Sequence, residues 1–242
     1  MTASARLSRA RRGIIVDIFV LRAYVSGVKK AGGKAKLSDW AELLRWKNLL
    51  AALASVYVGF QFGPAVSIPE WIIAMIAVGG VFSGGNVLND FADARGDSSN
   101  HPKRPIPRGA VRLDAAKRFG IILISVGSAA GILGGFLYGP LPAGIVLLSA
   151  LLLIFYDFRA KGIPYLGNVL VGILGANVFL FCAAIQGVAR GHIYAAVFAL
   201  FFHTGREIIK DVSDMEGDRE AGIRTLPMLR GAKPALKTAV GH

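Results

Sequence analysis

An all-α, polytopic transmembrane helical bundle is the fold class this sequence predicts, and three observations predict it. Of 242 residues, 54% are hydrophobic and only 18% are charged. With a mean hydropathy of +0.53, this is the composition of a chain solvated largely by lipid. Apolar runs recur at roughly 48–68, 71–88, 119–138, 140–156, 165–187 and 191–205, lengths near the ~17–25 residues a helix needs to cross a bilayer. Finally, every Lys and Arg except Arg190 falls in segments 1–47, 89–118, 157–163 and 206–237, all of which six spans place on one side. The positive-inside rule puts that side, with both termini, in the cytoplasm.

The elements follow in order. Residues 1–36 read as a basic cytoplasmic extension, with an interfacial helix around 13–27 and a linker rich in Lys, Gly and Ala at Ser26–Lys36. Its first apolar stretch, Gly13–Val20, is short and interrupted by Asp17, so it does not read as a cleavable signal. An amphipathic approach helix is expected over 37–47. The 30 glycines, clustered at Gly79-Gly80, Gly84-Gly85 and Gly134-Gly135, suit close helix packing in lipid. The single cysteine, Cys182, lies in an apolar run, which leaves no disulfide framework and no cysteine metal site. The net charge of +13 could suit nucleic acid, but its one-sided distribution fits topology and anionic headgroups instead.

Two acidic segments stand out at span ends: Asn89-Asp90-Phe91-Ala92-Asp93-Ala94-Arg95-Gly96-Asp97 and Asp211-Val212-Ser213-Asp214-Met215-Glu216-Gly217-Asp218. Both carry the spacing D-x-x-D-x-x-x-D, which on an α-helix gathers three carboxylates on one face. They repel one another unless something positive lies between them. Two such stripes facing each other would hold a divalent cation through oxygen ligands, the kind that suits Mg²⁺ and a phosphorylated substrate. Asn86 and Asn89 share the first arc and add neutral oxygens. Lys103, Arg104 and Arg108 follow the first stripe in a turn stiffened by three prolines, and Arg219, Arg224 and Pro227 follow the second. A diphosphate bridged through the cation and neutralised by these bases becomes a good leaving group, so that an allylic carbon attached to it can ionise.

A lone acidic stripe reads as a solvated face; two of identical spacing on one side, each beside bases, read as a site. His192 and His203 read as packed or interfacial side chains rather than ligands, and His101 as a solvent-exposed loop residue. Phe119, Phe155, Tyr156 and Phe181 are noted as cavity lining. The segment Tyr156-Asp157-Phe158-Arg159-Ala160-Lys161-Gly162 closes the fourth span as either a membrane anchor or a further wall of the pocket. Arg206, Glu207 and Lys210 precede the second stripe; Glu207 shares its face and Lys210 lies to one side.

These motifs resemble the UbiA superfamily of intramembrane prenyltransferases. Its first motif, N-D-x-x-D-x-x-x-D, is matched by Asn89, Asp90, Asp93 and Asp97, followed by Arg104-Pro105-Ile106-Pro107-Arg108-Gly109. Its second is matched by Asp211, Asp214 and Asp218, with Arg219 and Arg224-Thr225-Leu226-Pro227. The Tyr156–Lys161 segment is similar to the family's tyrosine–lysine element, with Lys five residues after Tyr rather than the commoner four. Glu42-Leu43-Leu44-Arg45, Gly167-Asn168 and Arg206-Glu207-Ile208-Ile209-Lys210-Asp211 are most similar to the branch that adds a second prenyl chain to an ether lipid.

The resemblance implies a prenyltransferase domain over 37–230. It implies Mg²⁺-dependent transfer of a geranylgeranyl group from its diphosphate to a lipid acceptor, with geranylgeranylglyceryl phosphate ahead of a quinone-precursor ring. It implies Asp93, Asp97, Asp214 and Asp218 as catalytic residues. Asn89, Asp93, Asp214 and Asp218 lead the metal ligands, with Asp90, Asp97 and Asp211 close behind. Asn86, Lys103, Arg104, Tyr156, Lys161, Arg206 and Lys210 are the substrate-binding set. Localisation is to the cell membrane, with the site facing the cytoplasm. The family's usual nine spans would place three more after the second motif, so 231–242 is expected to be a truncated tail. A transporter, or an inactive shortened homologue, is the reading from a different class. Transport carboxylates normally sit at mid-bilayer, whereas these lie at span ends.

Overall fold

In the computed structural model, residues 35–160, 163–216, 219 and 225–241 are described; the expected helix around 13–27 lies outside them. The expected approach helix is divided in two. Helix α1, Leu37–Leu43, starts where the Asp39 carboxylate accepts from the Lys36 backbone N–H at 2.8 Å. Arg45 then adopts a left-handed backbone (φ 51°), and α2, Trp46–Gly59, begins at once. At 14 residues α2 is shorter than the span expected at 48–68, because Gly63 and Pro64 interrupt it.

Helix α3 runs Ile68–Asn100, opening on a Ser67–Glu70 capping box with Pro in the first turn. Its 33 residues span ~50 Å at ~1.5 Å per residue, well beyond the hydrocarbon core of ~30 Å. The last turns, which carry the first acidic stripe, therefore project past the lipid as a continuation of the same helix. Helix α4 (Leu113–Tyr138) returns and α5 (Pro140–Phe155) crosses again, passing directly into a π-helical turn at Tyr156–Ala160. Helices α6 (Leu166–Gln186) and α7 (Arg190–Ser213) form a second hairpin. After the second acidic segment, short helices α8 (Leu226–Arg230) and α9 (Ala232–Val240) pack back onto α7.

Among the described residues, four segments are long and apolar enough to cross a membrane: Ile68–Ala94, Leu113–Tyr138, Pro140–Ala160 and Leu166–Gln186. Six spans were expected. Helix α2 is too short, and α7, although 24 residues long, carries His192, His203, Arg206, Glu207 and Lys210. The outward faces bear large apolar side chains such as Phe136 (83% exposed), as a lipid solvent requires. Of the aromatics noted as cavity lining, Phe181 is a core residue, Phe119 packs edge-on against Trp40 at 4.9 Å, and Phe155 is exposed.

Two seams hold the hairpins together. A Cβ added at Gly80 would lie 2.8 Å from the Gly127 Cα and the Leu123 carbonyl oxygen, and one at Gly84 would lie 2.8 Å from the Gly120 carbonyl oxygen. In the other hairpin, Gly172 abuts Thr204 and Leu200, and Gly175 abuts His203. Between the hairpins, Val56, Phe60, Ala77, Val81, Val146, Phe181 and Cys182 form the main core. At the end away from the acidic stripes, Gln186 donates its amide to the Phe60 and Pro64 carbonyls. Its Oε1 meets the Nε2 of the fully buried His192 at 3.1 Å. The histidine's Nδ1 accepts from the Ala189 N–H, so His192 is the packed residue the sequence suggested.

Gly80→Ala must push α3 off α4 backbone against backbone, a strain of about 1–3 kcal/mol. Thermal unfolding in detergent should show Gly80→Ala clearly destabilised. Gly144→Ala, where the added Cβ meets nothing within 4 Å, should melt with the parent.

Candidate active site

The first acidic stripe sits where α3 leaves the lipid, and two arginines from other segments reach it. Arg45, held in its left-handed conformation between α1 and α2, donates through Nη2 to Asp90 Oδ1 at 2.9 Å and to Asn89 Oδ1 at 3.1 Å. Arg104, from the proline-rich turn, donates to Asp97 Oδ2 at 2.6 Å and lies 3.7 Å from Asp90 Oδ1. Asp90 and Asp97 are 5% and 6% exposed, so these pairs compensate buried charge rather than decorate a surface. Burial pushes the Asp97 carboxyl above its ordinary range; Arg104 pulls it down, while Asp93 and Asp90 push it up further.

The turn that carries Arg104 is built as a small core. Ile106 and Val111 are buried against Leu43, Val87, Ala94 and Ala116. Arg108, one helical turn on, faces outward and pairs with Asp39 at 2.6 Å and Glu42 at 2.9 Å. The Lys103 side chain is exposed. Proline rigidity and this packing aim Arg104 at the stripe and Arg108 at α1.

The second acidic segment is not one continuous helix face. Helix α7 ends at Ser213 and Asp214 is its C-cap, with an exposed side chain. Asp211 lies on the last turn and accepts from Asn168 Nδ2 at 2.8 Å, which fixes it against the first turn of α6. Asp218 and Lys161 lie outside the described residues.

The π-turn borders the first stripe. Asn89 donates through Nδ2 to Asp157 Oδ1 at 2.9 Å, which extends the chain Arg45–Asn89–Asp157 across three elements. Tyr156, beside it, is half-buried and lies within electrostatic reach of Glu207, Asp157, Asp211 and Asp93 together. Both stripes thus reach the same end of the bundle and the same tyrosine. A π-bulge widens a helix locally, a device common at functional sites. Deeper in the same helix arc, the Asn86 Nδ2 is buried with no hydrogen-bond partner among the described residues, an exception of the kind a bound group would satisfy.

Other candidates sit at the edge. Arg206 is exposed and donates to Glu207 at 3.0 Å, while Lys210 lies 3.5 Å from the same carboxylate. A groove of about 520 Å³ lined by Phe198, Phe201, Phe202, Gly205, Arg206, Ile209 and Ala239 lies against α7 and α9; it includes none of the stripe residues. Arg45, Asp157 and Asn168 were not among the expected site residues, although each lies in a segment whose resemblance was noted. Their signal is a charged or amide residue at the first turn of an apolar helix, or just beyond its last.

Among the described residues, no three His, Cys, Asp or Glu side chains are grouped closely enough to cage a metal by themselves. The donors present are all oxygens from carboxylates and carboxamides, which match a hard cation that keeps waters and takes further ligands from substrate phosphates.

Residues 49–241 match the UbiA prenyltransferase family. A digeranylgeranylglyceryl phosphate synthase of Methanobrevibacter smithii is 36% identical over 208 residues, covering 84% of this chain and 73% of that one. The enzyme of the same name from Halobacterium salinarum is 42% identical over 203 residues, covering 81% and 70%. A solved structure of digeranylgeranylglyceryl phosphate synthase in membranes is similar with a TM-score of 0.71 at 30% identity, over 85% of this chain and 72% of that one. A UbiA homologue from Archaeoglobus fulgidus bound to GPP and Mg²⁺ gives 0.73 at 21% identity, over 84% and 73%, a likeness of fold.

Removing one partner of a buried ion pair strands the other, at a cost of about 3–5 kcal/mol, whereas an exposed pair contributes about 0–1 kcal/mol. Arg45→Met should therefore destabilise the protein far more than Arg118→Met, whose pair with Asp114 is exposed, in detergent melting curves. Adding Asp90→Asn to Arg45→Met should restore part of the loss.

Proposed function

We infer, because this chain belongs to the UbiA prenyltransferase family and is a prenyltransferase of the membrane, that it transfers a geranylgeranyl group from its diphosphate to geranylgeranylglyceryl phosphate. The product would be the doubly prenylated ether lipid. The observation that carries this reading is that both acidic segments come within electrostatic reach of Tyr156, with Asn89 bonded to Asp157 and Asp211 fixed by Asn168. The relatives named as synthases of this lipid support the acceptor and the chain length.

Asn89, Asp93, Asp214 and Asp218 are assigned to hold Mg²⁺ directly or through water. The Asn89 carbonyl oxygen keeps a second lone pair beside the one given to Arg45. Asp90 and Asp97 are assigned to the arginine pairs that fix the stripe, and Asp211 to the bond from Asn168. Bound there, the cation would neutralise the diphosphate and stabilise the charge that grows on the leaving oxygen. Arg104 and Lys103 stand at or near the rim where outer phosphate oxygens would emerge, and Lys161 is assigned to the same role. The Tyr156 ring and the buried Asn86 amide are assigned to the side on which the first allylic carbon would extend. The acidic end carries nearly all the Lys and Arg and the far end carries Arg190, so the site is assigned to the cytoplasmic face of the cell membrane.

The test is incubation of membranes containing the protein with labelled geranylgeranyl diphosphate and a panel of acceptors. Label should pass to geranylgeranylglyceryl phosphate, stop on chelation and resume with Mg²⁺. Label on an aromatic quinone precursor instead, or on no acceptor, would overturn the reading. Asp93→Ala and Asp214→Ala should each lower transfer about a hundredfold or more while leaving the detergent melting curve near the parent's. Full activity in either variant would refute the ligand assignment.

A further inference from the structure

One buried carboxylate has no part in the chemistry so far. Glu207 is 7% exposed on α7, one helical turn before Asp211 and therefore one turn deeper in the bundle. The antiparallel packing of α6 and α7 fixes its level. It lies between the Asn168–Asp211 bond, at 2.8 Å, and the contact of Gly172 with Thr204. A carboxylate at that depth is costly unless paired, and its partners are long, half-exposed side chains of its own helix. Arg206 Nη1 meets Oε1 at 3.0 Å and Lys210 Nζ lies 3.5 Å from Oε2. A pair needed only for stability would more cheaply be an apolar residue here, since replacing buried ion pairs by hydrocarbon is often neutral or stabilising.

Its neighbours define a direction. Across the bundle, the Tyr156 hydroxyl lies within electrostatic reach of Glu207 as well as of Asp157, Asp211 and Asp93. On its own helix, His203 lies one turn deeper, against Gly175. Glu207 thus lies on the apolar side of the diphosphate position assigned above, where an acceptor's nucleophile must sit to reach the allylic carbon from the side away from the leaving group.

We propose that Glu207 is the general base of the transfer, taking the proton from the acceptor's hydroxyl. This rests on the function proposed above, because only a hydroxyl acceptor carries that proton. The carbon–oxygen bond to the diphosphate breaks and its electron pair leaves with the diphosphate. The hydroxyl oxygen bonds to the same carbon, and its proton passes to the Glu207 carboxylate. Arg206 and Lys210, both half-exposed, hold the carboxylate in place.

The experiment separates proton removal from ionisation. Geranylgeranyl diphosphate carrying heavy oxygen in its carbon–oxygen bridge scrambles that label into the phosphate whenever the bond ionises and re-forms. Both scrambling and transfer to geranylgeranylglyceryl phosphate are measured for wild type, Glu207→Gln and Glu207→Asp. General-base catalysis is worth about 10²–10⁴-fold. Glu207→Gln should therefore lose about a hundredfold or more in kcat for transfer, with KM for both substrates and the rate of scrambling little changed. Glu207→Asp should recover part of the loss. Transfer by Glu207→Gln within a few-fold of wild type would overturn the proposal. So would a loss of transfer and scrambling together, which marks a structural role. Wild type that scrambles label but alkylates no such acceptor would overturn the function reading itself, and the base with it.

Discussion

Negative charge at the edge of an apolar bundle has to be compensated, and the arrangement of this protein depends on how that is done. Asp90 and Asp97 are almost fully buried at the end of α3. The positive charge that answers them comes from two places distant in sequence: Arg45, before the first long helix, and Arg104, in the proline-rich turn. Each demand has a visible structural effect. Arg45 takes a left-handed backbone that a non-glycine residue rarely adopts, which breaks the approach helix. The turn around Arg104 folds into a hydrophobic cluster of its own to hold the guanidinium inward.

The same logic separates positions that look equivalent in the sequence. Three aspartates at i, i+3 and i+7 share one helical arc, and Asp90 and Asp97 are bound to arginines from two different segments. In the second segment Asp211 is tied to Asn168, whereas Asp214 caps the helix. Spacing alone treats these residues as one class. Their partners set apart Asp90, Asp97 and Asp211 as residues that fix the shape of the site.

Much of this architecture is legible in the amino-acid order. Long apolar runs give the crossing helices, and the one-sided Lys and Arg give a common end for both acidic segments. The prolines at 102, 105 and 107 give the turn. Other features were not legible, for identifiable reasons. The break at Arg45 depends on a partner 45 residues away, and no local propensity encodes it. The π-turn at Tyr156–Ala160 has no composition of its own. The span expected at 48–68 was extended by apolar residues beyond Gly59, because hydropathy is blind to the turn that Gly63 and Pro64 impose. The second stripe was drawn as one helix because a 3.6-residue period says nothing about where the helix stops.

The glycine seams make each hairpin, α3 with α4 and α6 with α7, a pair of backbones in direct contact, while fewer contacts join one hairpin to the other. At the end away from the acids, Gln186 and His192 tie the connections together. The hairpins are thus tied at one end and carry carboxylates at the other, so an ion and anion shared across the acidic end would join two separately packed units without repacking either.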